Sequence, residues 1–307
     1  FSVSLVTNLF FLEGNMKLKK SFSVFIFGIL FSTFSFADPL SQMNSYLNNF
    51  TSQLNYVIPN SATENNVYSD AWIGKFIPSL PMHFAVGVEG GVTKLDMSDL
   101  CQAAELVHVS GLPSNFVFPT LGLNAKLGGI ILPFDVGLSF MTFNTKDFGN
   151  LLKNIDFQFF IIGGNVRFAI LQGKGILPKF SIGAGYYYSS GNIGKTTDNY
   201  GISVGYKTHT LVAETQLSKT FLFITPFIGF RAVFSKSDSS YNWKTTEGLT
   251  GEFSGGKTIS TDFSDSFIPQ VFGGVGLKLG VIQLDVNASW DFAHQIWNGG
   301  ASIRFQL

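Results

Sequence analysis

Charged residues are scarce in this sequence. They make up 13% of the 307 residues, whereas soluble globular domains usually contain about 25%. Twenty basic and twenty acidic residues balance, so the formal net charge is zero. A neutral chain offers phosphate backbones no electrostatic attraction, and we expect no nucleic acid among its partners.

Residues that commonly form disulfides, metal sites or catalytic centres are also few. The lone cysteine, Cys101, cannot form a disulfide within the chain and is interpreted as a small apolar residue. Spacing typical of a metal site is missing around all four histidines, which are His83, His108, His209 and His294. A G-x-S-x-G elbow is missing too. We therefore expect no metal, no cofactor and no enzymatic activity, with a barrel lipase or protease as a minor alternative.

Phenylalanine and glycine are abundant instead, with 34 and 33 copies. Much of the chain also alternates between apolar and polar residues, most clearly in VIQLDVNASW, residues 281–290. Ile282 and Leu284 alternate there with Gln283 and Asp285, which places the polar groups on one face of a strand. Such a strand belongs either to a soluble sandwich or to a membrane barrel with lipid outside and water inside.

Ten segments between residues 83 and 307 have this period of two. They lie at about 83–95, 117–127, 134–143, 155–170, 179–189, 203–217, 221–234, 268–280, 281–290 and 296–307. Most connections between them alternate between short and long, as in transmembrane barrels. The sequence thus predicts an all-β fold, a closed antiparallel transmembrane β-barrel of about ten strands (eight to twelve) over residues 83–307. A slip in the alternation near 207–210 is interpreted as a bulge.

The polar face of these strands lacks the many Lys and Glu residues that cover soluble surfaces. Its isolated charges suit a narrow lumen, and these lumen candidates are Glu89, Lys126, Asp135, Arg167, Lys179, Glu214, Arg231, Lys278, Asp285 and Arg304. They either form a constriction that favours anions or zwitterions, or pair to fill a small barrel, which we favour. Aromatic residues expected at the lipid headgroups are Phe84, Phe143, Tyr186, Tyr188, Trp290, Trp297 and Phe305.

The N-terminal part consists of three segments. Residues 1–15 are interpreted as non-native upstream translation, because Met16 begins a secretory signal peptide. This signal covers 16–37, with a lysine-rich start, an apolar run and a small-residue cleavage site. Residues 38–82 contain apolar residues at steps of three and four, which predict an amphipathic helix ended by Pro59. The helix is either periplasmic, covering the barrel mouth, or a plug docked in the lumen.

Two long links have features of their own. The link 96–110 is expected to form a short helix capped by Ser98 or Asp99. Its apolar stripe contains the gate-helix candidates, which are Met97, Leu100, Ala104 and Val107. That helix either gates an apolar pocket or only leans on neighbouring loops. In the polar link 236–267 we expect a hairpin around 254–256, suited to ligand or host contact.

The last segment, ASIRFQL, places Phe305 and Leu307 on the apolar face and Arg304 on the other. It resembles the C-terminal strand of outer-membrane barrels, which usually ends in an aromatic residue and serves as the signal for the barrel-assembly machinery. In size, apolar character and N-terminal helix the chain is most similar to the narrow barrels of the OmpW and FadL type. That resemblance implies small hydrophobic solutes that enter from outside and leave sideways into the membrane.

We therefore expect an outer-membrane protein of a diderm bacterium with its loops at the cell surface. Its expected partners are outer-membrane lipid, the barrel-assembly machinery and small solutes. The leading function is porin-like passive passage of small molecules, hydrophobic ones included. The alternative is a surface structural or adhesin-type barrel that displays its loops.

Overall fold

A computed structural model gives the fold of the chain. It describes residues 41–64, 66–77, 82–145, 155–196, 200–247 and 251–307. The chain divides into two compact units, Phe1–Ser45 and Tyr46–Leu307. Of the first unit only the start of a helix is described, so the expected signal peptide and upstream residues lie outside the described residues. The second unit contains all the described strands.

The described strands form one antiparallel sheet. Their bounds are β1 (Phe84–Asp96), β2 (Asn115–Gly128), β3 (Phe134–Asn144), β4 (Asp156–Gln172), β5 (Lys179–Thr196), β6 (Tyr200–Ser218), β7 (Ile224–Glu247), β8 (Gly251–Thr261), β9 (Phe267–Leu279), β10 (Ile282–Asp291) and β11 (Ile296–Gln306). Within the described residues, ten of them close into a barrel, because β11 pairs with β1 and β7 pairs with both β6 and β9. Strand β8 pairs with the second half of β7. The predicted closed barrel of ten strands is confirmed.

Side chains alternate between the exterior and the interior of the barrel. Along β10, Val286 is 63% exposed, whereas its neighbours Asp285 and Asn287 are buried. All ten barrel strands contribute large exposed apolar side chains to the exterior, such as Val88, Leu123, Leu138, Ile162, Ile182, Leu211, Ile228, Val275, Val286 and Ile303. Exposing this belt to water would cost about 25 cal/mol per Å². Since the closed sheet satisfies its own backbone hydrogen bonds, the belt faces lipid and the barrel is transmembrane.

The two ends of the barrel differ, and we call them the turn end and the loop end. The connections at the turn end are 129–133, 173–178, 219–223 and 280–281. The tightest of them uses Gly280, whose φ of +67° lies in the left-handed region that glycine adopts easily. The loop end holds the other connections, including helix α2 (Ser98–Leu106).

One side of the barrel is taller than the other. Strands β5, β6 and β7 are 18, 19 and 24 residues long, although a tilted membrane span needs only about 9–11 residues. Their surplus projects beyond the apolar belt at the loop end. We call this projection the upper wall, and it consists of residues 156–160, 190–196, 200–207, 238–247 and 251–261.

The predicted bulge near 207–210 is wrong. The pairings of β6 with β5 and with β7 run through this stretch without a shift in register. The alternation of apolar and polar residues changes there because the strand has left the apolar belt. An exterior position such as Lys207 is exposed and no longer has to be apolar.

The link 236–267 does contain a hairpin, but its turn is not at the predicted position. Glu247 pairs with Gly251, so the chain reverses at 248–250. Gly255 lies within β8, opposite Trp243. A Cβ added to Gly255 would be 2.7 Å from the Trp243 ring. Glycine therefore serves close packing at this position and does not form the turn.

Two α-helices and a short 3₁₀ turn at Phe263–Asp265 accompany the strands. Helix α1 spans residues 41–64 and precedes the barrel, as the sequence predicted. In the described part of the chain, we find no helix that combines the length and the apolar character needed to cross a membrane.

Candidate functional site: a plug in the barrel lumen

From Tyr46 onward, helix α1 lies inside the barrel and runs from the loop end toward the turn end. Its contacts descend along β10. Asn60 Nδ2 donates to Asp291 Oδ2 at 3.2 Å, and one turn later Glu64 accepts a hydrogen bond from Ser289. The chain then continues through the lumen to β1. We call the part of the chain inside the barrel the plug, and it comprises residues 46–64 and 66–76.

Pro59 does not end the helix, contrary to the expectation from the sequence. Proline has no N–H and cannot donate to the carbonyl four residues earlier, which belongs to Asn55. Ser235 Oγ on β7 donates to this carbonyl at 3.3 Å instead. Asn60 Nδ2 donates to the next carbonyl, that of Tyr56, at 2.8 Å. Because the barrel wall replaces the missing helical hydrogen bond, the helix continues to residue 64.

The second part of the plug, residues 66–76, is irregular and is held by polar contacts with the wall. Tyr68 Oη donates to Asn124 Oδ1 at 2.9 Å. At the turn end the N–H of Phe76 donates to the carbonyl of Gly129, also at 2.9 Å. An irregular backbone at membrane depth is stable only where protein or water satisfies it, and here the inner surface of the barrel does so.

Eight of the ten lumen candidates point into the barrel and are buried: Glu89, Lys126, Asp135, Arg167, Glu214, Arg231, Asp285 and Arg304. Arg167 and Asp135 face each other on neighbouring strands, with Nε and Oδ1 2.9 Å apart. Lys126 Nζ lies 3.6 Å from the same carboxylate. Buried charges persist only when they are paired, and these side chains satisfy one another.

The remaining lumen candidates complete this picture. Arg231 Nε lies 3.3 Å from Glu214 Oε2. Arg304 bonds to Asp285 and also to Glu89, whose Oε2 is 3.0 Å from its guanidinium. The last two candidates lie at the turn end, where Lys179 is half-buried and Lys278 is exposed.

Two acidic plug residues belong to the same network, and the sequence analysis did not single them out. Glu64 Oε1 lies 3.7 Å from Arg231 NH1, and Asp70 Oδ1 lies 2.6 Å from Lys179 Nζ. A signal for them was present in the composition of the lumen candidates. Six of these are cationic and four are acidic, so a segment with two carboxylates, such as the one containing Glu64 and Asp70, balances the lumen.

Tyr68 is the third plug residue that the sequence analysis missed. Its ring is packed between cations of the wall, with Arg304 Cζ 3.9 Å and Lys126 Nζ 4.6 Å from the ring centroid. Cations over an aromatic face are attracted to it by about 0.5–2 kcal/mol, more strongly when water is excluded. Tyr68 thus anchors the plug to the charged part of the wall.

The inner surface becomes aromatic toward the loop end. The rings of Phe118, Phe157 and Phe159 have centroids 4.7 to 5.4 Å apart. Phe143 belongs to this surface, so its predicted place at the lipid headgroups is wrong. The apolar stripe of α1 is buried in the same part of the lumen and includes Leu47, Phe50, Leu54, Val57 and Ile58. This half of the interior is therefore an apolar core, which the alternation alone did not reveal.

Helix α2 lies at the loop end, and its gate-helix candidates are all buried: Met97, Leu100, Ala104 and Val107. The N-cap position belongs to Met97 and not to Ser98 or Asp99 as predicted. The Ser98 hydroxyl donates instead to Asp96 Oδ1 at 2.6 Å, which uses the group that would have capped the helix.

The link after α2 rests on the upper wall. Lys195 Nζ donates to the carbonyl of Ser110 at 2.8 Å. The ring of His108 meets that of Tyr200 edge-on, with centroids 6.1 Å apart. These contacts agree with the alternative in which the helix leans on its neighbours, and a gating role stays a prediction.

A carboxylate–histidine pair lies near the loop-end mouth. Asp291 Oδ2 is 2.8 Å from His294 Nδ1, and the ring of Tyr56 stacks on the imidazole with centroids 3.7 Å apart. Asp291 Oδ1 also accepts the N–H of Ala293 at 2.9 Å, as in an Asx turn, so the tight turn from β10 to β11 accounts for the pair. Among the described residues, no three His, Cys, Asp or Glu side chains are grouped as a metal site.

Comparison with known proteins gives structural likeness only. No protein-family description matches the sequence, and no curated protein matches it. Similar solved structures include the outer membrane protease OmpT from Escherichia coli, at 9% identity over 73% of this chain and 97% of that one, with a TM-score of 0.46. A major outer membrane protein from Thermus thermophilus has 12% identity over 72% of this chain and 99% of its own, with a TM-score of 0.32.

The CymD monoaromatic hydrocarbon channel is a third similar structure, at 9% identity over 72% of this chain and 87% of its own, with a TM-score of 0.26. Likeness of this degree carries no conclusion about function. The barrel itself is established by its strand pairing, and the narrower resemblance to the OmpW and FadL type stays a prediction.

Proposed function

We propose that this chain is an outer-membrane barrel, with its loop end at the cell surface, through which small solutes pass when the plug moves. The observation that carries this proposal is the polar character of the interface between residues 66–76 and the wall. A hydrogen bond contributes only about 0.5–1.5 kcal/mol net, because water replaces it when it breaks. The plug can therefore leave the turn-end half of the lumen without exposing an apolar wall.

Incompletely bonded polar atoms along the inner surface support the same proposal. Within the described residues, Ser139 Oγ and both polar side-chain atoms of Asn287 are buried without a hydrogen-bond partner. A buried polar atom without any partner costs about 1–3 kcal/mol, so we expect water to hydrate these positions. A hydrated seam between plug and wall is where displacement of the plug would begin.

The solute we propose is small and at least partly apolar. A molecule arriving from the loop end first meets the aromatic inner surface around Phe118 and Phe159. The polar, ion-paired section around Arg167 lies beyond it. An apolar mouth above a polar passage favours small amphipathic or apolar molecules over sugars and free ions.

A disulfide that locks the plug to the wall tests this proposal. Ser61 Oγ on α1 donates to Thr93 Oγ1 on β1 at 2.8 Å, so cysteines at these two positions are close enough to bond. The double variant Ser61→Cys/Thr93→Cys is made in a Cys101→Ser background and refolded into planar bilayers. We expect no conductance after oxidation and recovery to the wild-type level after reduction.

The single variant Ser61→Cys in the same background is the matched control, and its conductance should not respond to oxidation. A wild-type barrel that never conducts would overturn the proposal. Equal conductance of the oxidised and reduced double variant, with the disulfide verified by mass spectrometry, would do so as well.

A surface-recognition role is the second candidate, and the upper wall favours it. This wall extends three strands well beyond the length that lipid requires. A silent barrel whose removal of residues 251–261 abolishes attachment of cells to a surface would support this role instead of passage.

A further inference from the structure

A cavity of about 520 Å³ lies on the exterior face of the upper wall, outside the lumen. It crosses strands β4 to β8, and its exterior residues are mostly polar. They are Gln158, Phe160, Ser190, Asn192, Gly205, Lys207, Asp238, Ser240 and Thr258. A cavity with several converging polar groups is a typical ligand site, and neither the plug nor the passage accounts for this one.

The floor of the cavity is Gly205. Strand pairing places Asn192 on one side of it and Ser240 on the other, with Thr258 next in the same row. A Cβ added to Gly205 would lie 3.7 Å from both Asn192 Oδ1 and Ser240 Oγ. The absence of a side chain at Gly205 therefore creates the space between the two polar neighbours.

The polar groups around this floor are oriented by their neighbours. Ser203 Oγ donates to Asn192 Oδ1 at 2.9 Å, which leaves the Asn192 amide N–H groups to donate into the cavity. Asp238 Oδ1 accepts from Ser260 Oγ at 2.6 Å, which leaves its second oxygen as an acceptor. The exposed ammonium of Lys207 lies in the same row as Asp238. Donors and acceptors thus alternate within one small area.

The height of the cavity above the membrane restricts its occupant. Tyr186 and Tyr188 on the exterior of β5 lie at the upper edge of the apolar belt, and Tyr186 Oη is 2.6 Å from His209 Nδ1. Asn192 is four residues farther along β5. At about 3.3 Å per residue and a tilt of about 40°, this places it about 10 Å above Tyr188. Acyl chains do not reach this level, whereas the head of a large surface lipid does.

We infer that this cavity binds a sugar in the headgroup of a glycolipid of the surrounding outer leaflet. Sugars present neighbouring hydroxyls that both donate and accept, which matches the Asn192 amide, the Ser240 hydroxyl and the Asp238 carboxylate. Phe160 at the edge of the cavity offers an aromatic face for the apolar side of the ring. A bare phosphate fits less well, because Asp238 would repel it. The site is independent of passage through the lumen.

The variant Gly205→Leu tests this inference, since it fills the cavity and its Cβ makes only ordinary contacts. Gly299→Leu is the matched control, because Gly299 is another exterior glycine with space around it, with its nearest neighbour at 3.7 Å. Both full-length proteins are refolded in detergent, and their folding is verified by heat-dependent gel mobility. Binding of rough-type lipopolysaccharide is then measured by titration, with phosphatidylglycerol as the lipid without sugar.

We expect Gly205→Leu to weaken lipopolysaccharide binding at least tenfold, with Gly299→Leu equal to wild type. Asn192→Ala should weaken it severalfold, and this variant carries the test if Gly205→Leu does not fold. Equal affinity of wild type and the cavity variants would overturn the inference. Phosphatidylglycerol binding that is as tight as that of lipopolysaccharide, and equally sensitive to Gly205→Leu, would also overturn it.

Discussion

The Arg167 guanidinium donates two parallel hydrogen bonds, both 2.9 Å long, to the two carboxylate oxygens of Asp135 on the neighbouring strand. This two-pronged pair is buried inside the barrel. Asp135 Oδ2 also accepts the N–H of Ile73 at 3.2 Å, so the pair holds the plug as well as the wall. Bidentate pairs of this kind are geometrically specific and strong.

Removing one partner of this pair should destabilise the barrel. We expect Arg167→Ala to lower the free energy of unfolding by about 3–5 kcal/mol, because it leaves the Asp135 carboxylate buried with less compensation. The measurement is urea unfolding in lipid vesicles. Arg167→Met/Asp135→Leu should recover much of the loss, and a double variant as unstable as the single one would contradict this explanation.

Pro59 and Ser235 should be energetically coupled. Ser235→Ala should destabilise the wild type by about 1 kcal/mol, since it deprives the Asn55 carbonyl of its donor. In a Pro59→Ala background the new N–H can satisfy that carbonyl, so the same Ser235 change should cost much less. A double-mutant cycle of unfolding free energies measures this coupling. Additive effects would show that the wall serine does not replace the helical hydrogen bond.

Tyr68 should control the stability of the closed state. Tyr68→Leu removes the ring between Arg304 and Lys126, so we expect more frequent opening in single-channel recordings. Tyr68→Phe keeps the ring and loses only the hydrogen bond to Asn124, so its effect should be smaller. Identical opening frequencies for the two variants would show that the ring does not anchor the plug.

Gly255 should be needed for the β7–β8 hairpin but not for the barrel. Gly255→Val would force its Cβ into the Trp243 ring, so we expect faster cleavage of the hairpin by added protease. Ser254→Val, on the neighbouring exposed position, is the control. Both variants should retain the barrel's heat-dependent gel mobility, and equal cleavage of the two would contradict the packing role of the glycine.

Cys101 on α2 should react slowly with maleimides. Burial, together with the nearby carboxylates of Glu105 and Asp96, raises the pKa of its thiol above the ordinary value. The reactive thiolate therefore becomes abundant only at a higher pH than for an exposed cysteine. The pH profile of the labelling rate checks this expectation, with a cysteine placed at exposed Ser254 as the reference. Superimposable profiles would show that α2 does not shield its thiol.

The sequence predicted the barrel well because lipid imposes a strict rule on the exterior of each strand. The same rule correctly placed inward most of the charged candidates, such as Asp135 and Arg167. It failed for Phe157 and Phe159, since an apolar residue facing a buried helix looks the same as one facing lipid. Periodicity also showed that α1 has an apolar stripe, but it could not show which surface covers that stripe.

The plug also determines the electrical character of the passage that it closes. Glu64 and Asp70 leave the lumen when the plug leaves, whereas the cations that face them remain on the strands. The vacated bore would therefore hold a net surplus of two positive charges among these positions. Permeation by anions should accordingly begin only after unplugging, so that a single moving segment supplies both the shutter and the counter-charge.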